Sequence, residues 1–120
     1  MTTDLIKKTK VTKNKINGLY INNLFSDLNG DQKVELAEKF LTAEIIAVFK
    51  DQELKSSIDA FFKNNLNISE TSRNAFMHRN TLLYRIDKVY KLTGLNIRNF
   101  NDANNLLFLS ILYDKTKAMR

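Results

Sequence analysis

An all-α fold follows from three features of this sequence, and one segment, residues 68–94, makes it a helical bundle with a helix-turn-helix core. Its 120 residues contain no Pro and only three Gly (Gly18, Gly30, Gly94), so little in the chain interrupts a helix. Apolar residues recur at i, i+3 and i+4 over long stretches, and the alternation of half-buried strands is missing. With 43% hydrophobic residues, a chain of this length buries one core without staples. Disulfides are excluded in any case, because there is no Cys. The same absence removes thiolate zinc sites and Cys nucleophiles. A single His, His78, leaves no His cluster for a metal and no Ser-His-Asp triad. The reading is therefore a binding protein and not an enzyme, with no cofactor and no metal.

Residues 1–18 are polar and rich in Lys and Thr, the composition of an arm or frayed helix. Lys7, Lys8, Lys10, Lys13 and Lys15 in it are suited either to the phosphates of a polyanion or to plain solvation. From Leu19 to Leu28, the spacing puts Leu24, Phe25 and Leu28 on one helical face. Asp31 is a candidate cap for a helix running to about Phe49, with Val34, Ala37, Leu41, Ile45 and Val48 as its stripe. Phe40, Ile46 and Phe49 widen that stripe, so two buried sides are expected, one against a second subunit. Asp51 opens the next helix, with Leu54, Ile58, Phe61 and Phe62 inward and Asn64-Asn65 at its end. Ser69 starts a short helix with Glu70 in its first turn, where a carboxylate suits the positive end of the dipole. After a break near Met77-His78, Leu82, Ile86, Val89 and Leu92 mark a longer helix, and Gly94 stands where a left-handed C-terminal residue is expected. Asp102 is the candidate cap of a last helix carrying Leu106, Leu107, Leu109, Ile111 and Leu112. The domain expectation is an N-terminal connector or dimerisation region over 1–50 and a binding domain over 51–120.

The net charge of +6 is unevenly spread. Residues 31–60 hold four Lys and seven acids, a net of −3, while residues 69–98 hold six Lys/Arg and two acids, a net of +4. A basic block beside an acidic one suits a face for a polyanion. No apolar run approaches the roughly 18–20 residues that span a bilayer, and MTTDLIKKTK lacks the apolar region of a secretory signal. A cytoplasmic protein with no membrane contact is expected. One calcium-like spacing occurs: Asp27, Asn29, Asp31, Lys33, Glu35 and Glu38 fall at positions 1, 3, 5, 7, 9 and 12 of an EF-hand loop. Gln32 stands where that loop needs Gly, so the segment reads as a junction between helices.

The segment that carries function is ISETSRNAFMHRNTLLYRIDKVYKLTG, Ile68 to Gly94. Read physically, it is a short helix, a tight turn and a longer helix. Ser72 and Ala75 are small enough for a close crossing, Met77 plugs the turn, and Leu82 and Ile86 hold the second helix down. Left outward on the second helix are His78, Arg79, Asn80, Thr81, Leu83, Tyr84, Arg85 and Lys88. Such a set suits a major groove: Arg for guanine, Asn for adenine, Leu or a Thr methyl for the thymine methyl. Ser69 and Thr71 are expected to meet phosphates through hydroxyls and helix-terminal N–H groups, and Arg73 through charge.

The strings NISETSR at Asn67–Arg73, HRNTLLYRIDK at His78–Lys88 and LTGLNIRNFNDA at Leu92–Ala103 resemble the C-terminal helix-turn-helix domain of the bacterial PucR/CdaR regulators. The resemblance covers about Glu53 to Tyr113. Ala75 and Met77 stand where that family usually carries an aliphatic residue. Residues 31–50 resemble only the helical connector that often precedes the domain, so metabolite sensing is not carried over. The resemblance implies sequence-specific DNA binding and transcriptional control, usually as a dimer or larger oligomer. The reading is a homodimer on double-stranded DNA in the bacterial cytoplasm at the nucleoid, with a recognition helix at about 79–93. Two other readings share this pattern: a low-specificity architectural DNA binder of the nucleoid type, and a protein-interaction adaptor.

Overall fold

The computed structural model describes residues 19–119, and the expected Lys-bearing arm lies outside them. Among the described residues seven α-helices follow one another: α1 Leu19–Ser26, α2 Gly30–Phe40, α3 Ala43–Lys50, α4 Gln52–Lys63, α5 Ile68–Asn74, α6 Arg79–Thr93 and α7 Phe100–Thr116. A 3-10 turn, Lys117–Met119, closes the described chain. There are no strands among the described residues.

Side-chain caps decide where these helices begin. Asn29, not Asp31, caps α2: its side chain accepts from Gln32 N while the Gln32 side chain accepts from Asn29 N, a reciprocal capping box. Residues 30–40 are thus helical, and Asp31, Glu35 and Glu38 of the calcium-like spacing are strung along a helix instead of wrapped in a loop. The expected helix from 31 to 49 is two helices. Leu41 leaves helical geometry (φ −88, ψ 91), and the Thr42 hydroxyl caps α3 by accepting from Ile45 N. Periodicity did not show this break because Ala37, Leu41, Ile45 and Val48 are buried on both sides of it. Asp51 caps α4 as expected, through Glu53 N and Leu54 N. The last helix is capped by Asn99, and the carboxylate of Asp102 instead accepts from Asn96 N in the preceding loop.

Phe25, Ala37, Leu41, Ile45, Val48, Phe49, Leu54, Ile58, Phe61, Leu82, Ile86, Val89, Leu106 and Leu112 belong to one continuous buried core. It crosses residue 50 without interruption. Helices α1 and α2 pack on α7, and Phe25 and Phe40 meet Phe108 with ring centroids 5.5 and 5.7 Å apart. Helix α3 touches α4, α6 and α7, which makes it the central strut of the bundle. Its two apolar sides are therefore filled within this chain. Leu24, placed with Phe25 by spacing, points outward, as do Val34 and much of Phe40.

Candidate nucleic-acid interface

Helices α5 and α6 form the helix-turn-helix, and the chain folds that way for local reasons. Asn67 caps α5 by accepting from Glu70 N, two residues ahead of the expected start at Ser69. Asn64 ends α4, and Asn65 and Leu66 then turn the chain with φ of 56 and 61. Leu66 N donates to Phe61 O, and Asn74 Nδ2 donates to Asn64 Oδ1 at 2.6 Å, tying the end of α5 back to α4. Helix α5 stops where Ala75 N bonds Thr71 O and Met77 N bonds Ser72 O, each at 2.9 Å. His78 caps α6: its Nδ1 accepts from Asn80 N at 3.0 Å, leaving Nε2 for an outside partner. At the far end Gly94 takes φ 80, a conformation in which a Cβ would be strained, as its place after the last periodic residue predicts.

Of the ten residues expected to meet DNA, eight keep surface open to solvent. Ser69, Arg73, His78, Arg79, Asn80 and Tyr84 are exposed, and Thr81 and Lys88 are half-buried. Arg79 Nη1 reaches Ser69 Oγ at 3.4 Å and links the starts of the two helices. Tyr84 is 67% exposed, so its ring is not packed inward.

Thr71 and Arg85 differ from expectation. Thr71 has no exposed surface, and its hydroxyl donates to Asn67 O at 2.6 Å. A threonine one turn into a helix satisfies its hydroxyl on the previous carbonyl and turns its methyl inward, so Thr71 packs the crossing and does not meet phosphate. Arg85 lies on the flank of α6 that faces α4. Its Nη1 donates to Ser57 Oγ at 3.0 Å and approaches Met77 Sδ at 3.9 Å, while Nη2 pairs with Glu53 at 3.3 Å. Its side chain is only 22% exposed. The guanidinium fork is thus turned toward α4 and the turn, where it fixes the angle of α6. Sequence spacing could not distinguish this, because 85 lies between the outward and inward faces of the helix.

Two residues of this surface had not been singled out. Lys91 extends the outer face of α6 by about one turn beyond Lys88 and pairs with Asp87 at 3.0 Å. Phe76, in the turn, is 96% exposed. Lys91 was legible from its spacing to Asn80, Tyr84 and Lys88, whereas the exposure of an apolar turn residue was not.

These two crossed helices, with a capped second helix presenting cations, amides and hydroxyls, define a helix-turn-helix domain. Residues 54–110 match the PucR C-terminal helix-turn-helix domain family. It is 35% identical over 95 residues to the carbohydrate diacid regulator of Escherichia coli (strain K12), covering 78% of this chain and 24% of that protein. It is 32% identical over 50 residues to the purine catabolism regulatory protein of Bacillus subtilis (strain 168), covering 42% of this chain and 9% of that protein. The uncharacterised protein YxkF of Bacillus subtilis (strain 168) is 32% identical over 89 residues, covering 73% of this chain and 30% of YxkF. The chain thus spans less than a third of the length of these relatives. No solved structure matches it significantly.

Proposed function

We propose that this chain is a sequence-specific DNA-binding transcriptional regulator, non-enzymatic, acting on double-stranded DNA as a homodimer in the bacterial cytoplasm at the nucleoid. The carrying observation is the exposed surface of α6 in a domain of the PucR helix-turn-helix family. Two of the relatives are named as regulators, which favours control of transcription over an architectural role.

In this reading α6 enters the major groove from its N-terminal end, and α5 lies across the phosphate backbone. Arg79, Asn80, Thr81 and Tyr84 face base edges. His78, Ser69, Arg73 and Lys88 meet phosphates and set the register. Arg85 is a positioning residue, acting through Ser57, Met77 and Glu53. A homodimer places two copies of α6 on half-sites about 34 Å apart. Leu24, Val34 and Phe40, exposed on α1 and α2, supply apolar area for that contact. No helix among the described residues is long and apolar enough to cross a membrane, which accords with access to DNA.

The test is selection of bound duplexes from a random library by the 120-residue chain. A recovered motif with two-fold symmetry, bound about a thousandfold more tightly than random duplex, is expected. Comparable affinity for all duplexes would favour the architectural reading. Absence of binding even at low salt would overturn DNA binding altogether and favour the adaptor.

A further inference from the structure

Phe76 stands at the corner between α5 and α6 in a conformation that does not favour it. Its φ is 52, in the left-handed region where Gly and Asn are at ease and a bulky side chain is strained. The ring gains nothing from folding to offset this, being 96% exposed to solvent. A polar or glycine residue at this corner would relieve the strain and the hydration of the ring together. Met77, the next residue, is the one that packs onto the core. The turn itself is held by the backbone bonds of Ala75 and Met77, which do not need an aromatic side chain at 76.

The surroundings of the ring say what kind of partner covers it. From Thr71 to Ile86 the chain has no carboxylate and three arginines, Arg73, Arg79 and Arg85. Arg73 and Arg79 lie three residues to either side of Phe76 and are exposed. With consecutive Cα atoms 3.8 Å apart, each is within about 11 Å of it along the backbone. An apolar ring framed by cations is complementary to a surface that is apolar in patches and anionic at its border. Duplex DNA has that composition, with thymine methyls and deoxyribose faces inside a frame of phosphates.

We propose that Phe76 is an apolar DNA contact, its ring lying against a thymine methyl or a deoxyribose face at the wall of the groove that α6 enters. This rests on the DNA-binding reading given above. The residue adds affinity through desolvation and not through charge, so its effect separates from that of the cations.

The experiment compares the 120-residue chain with Phe76→Asn, Phe76→Gly and Phe76→Leu on a duplex selected from a random library by the wild-type chain. Asn and Gly both accept the left-handed backbone, so at least one folded variant lacking the ring is available. Thermal melting of Phe76→Asn at or above that of wild type is expected, with affinity lowered about tenfold. The slope of log affinity against log salt stays unchanged, because no phosphate contact is removed. Phe76→Leu retains most of the affinity. Replacing thymines singly by deoxyuridine separates the two contacts. A site that weakens wild type and leaves Phe76→Asn indifferent identifies a methyl; loss in Phe76→Asn with no such site identifies a sugar. Either supports the proposal. Wild-type affinity in both Phe76→Asn and Phe76→Gly, or a flattened salt slope, overturns it while the DNA-binding reading stands. Absence of any duplex binding by the wild-type chain at low salt overturns both.

Discussion

Ser72 and Arg85 show how much of this surface is decided by single side chains. The Ser72 hydroxyl is buried at the crossing of α5 and α6 and has no hydrogen-bond partner. A buried, unsatisfied hydroxyl costs about 1–3 kcal/mol, and Ser is also a poorer helix former than Ala. Ser72→Ala is accordingly expected to stabilise the chain by about 1 kcal/mol in urea unfolding, with DNA affinity unchanged. A lower denaturation midpoint would mean that the hydroxyl has a partner after all. Arg85 supplies the opposite case, since its guanidinium is engaged on α4 and the turn. Arg85→Ala should destabilise the fold by about 1–2 kcal/mol and weaken binding to every duplex. Glu53→Gln should change stability little, because that carboxylate is 77% exposed and its pair with Arg85 is at the surface. Equal effects of the two substitutions would show that the ion pair, and not the bonds to Ser57 and Met77, holds α6.

At the scale of the element, α6 is held from one side and open to solvent on the other. Leu82, Ile86 and Val89 anchor it, His78 and Gly94 fix its two ends, and the outer face carries Asn80, Tyr84, Lys88 and Lys91. The residues proposed to read bases and those proposed to bind phosphates should respond differently to substitution. Arg79→Ala is expected to lower affinity for the selected site by about 1–3 kcal/mol while leaving random duplex much less affected. Lys88→Ala is expected to weaken all duplexes alike and reduce the salt slope by about one unit. Fluorescence-anisotropy titrations at several salt concentrations measure both, and wild-type behaviour in either variant would remove that residue from the contact set. The helix itself was legible in sequence, since Leu82, Ile86 and Val89 at helical spacing and a terminal Gly agree, although Leu92, expected inward with them, is 43% exposed. Its rotation was not. Whether a side chain at the edge of the stripe turns to solvent or to a neighbour depends on where α4 lies, and Thr71 and Arg85 fell on that edge.

For the whole molecule, the relation between residues 19–50 and the rest of the chain follows from burial. Phe25, Leu41, Ile45, Val48 and Phe49 are nearly fully buried in the shared core. At about 1.5–3 kcal/mol for each such side chain, their loss is on the order of 10 kcal/mol, comparable to the whole stability of a small domain. A chain of residues 51–120 is therefore expected to lose cooperative unfolding, which circular dichroism during heating would detect. A sharp transition near that of the full chain would mean that the binding half folds without its N-terminal supports. Sequence pattern located these helices but divided them incorrectly at Asp31 and Thr42, because caps compete locally and several oxygen-bearing residues stood within reach.

What the amino-acid order determined alone was the helical class, the inward stripes and the strings of the helix-turn-helix, since these follow from spacing along one chain and from residue type. The tertiary arrangement decided which polar side chains remain for a partner. Burial and hydrogen bonding are settled between elements distant in sequence, so Thr71 was consumed by the crossing, Arg85 by α4, and Phe76 was left outside.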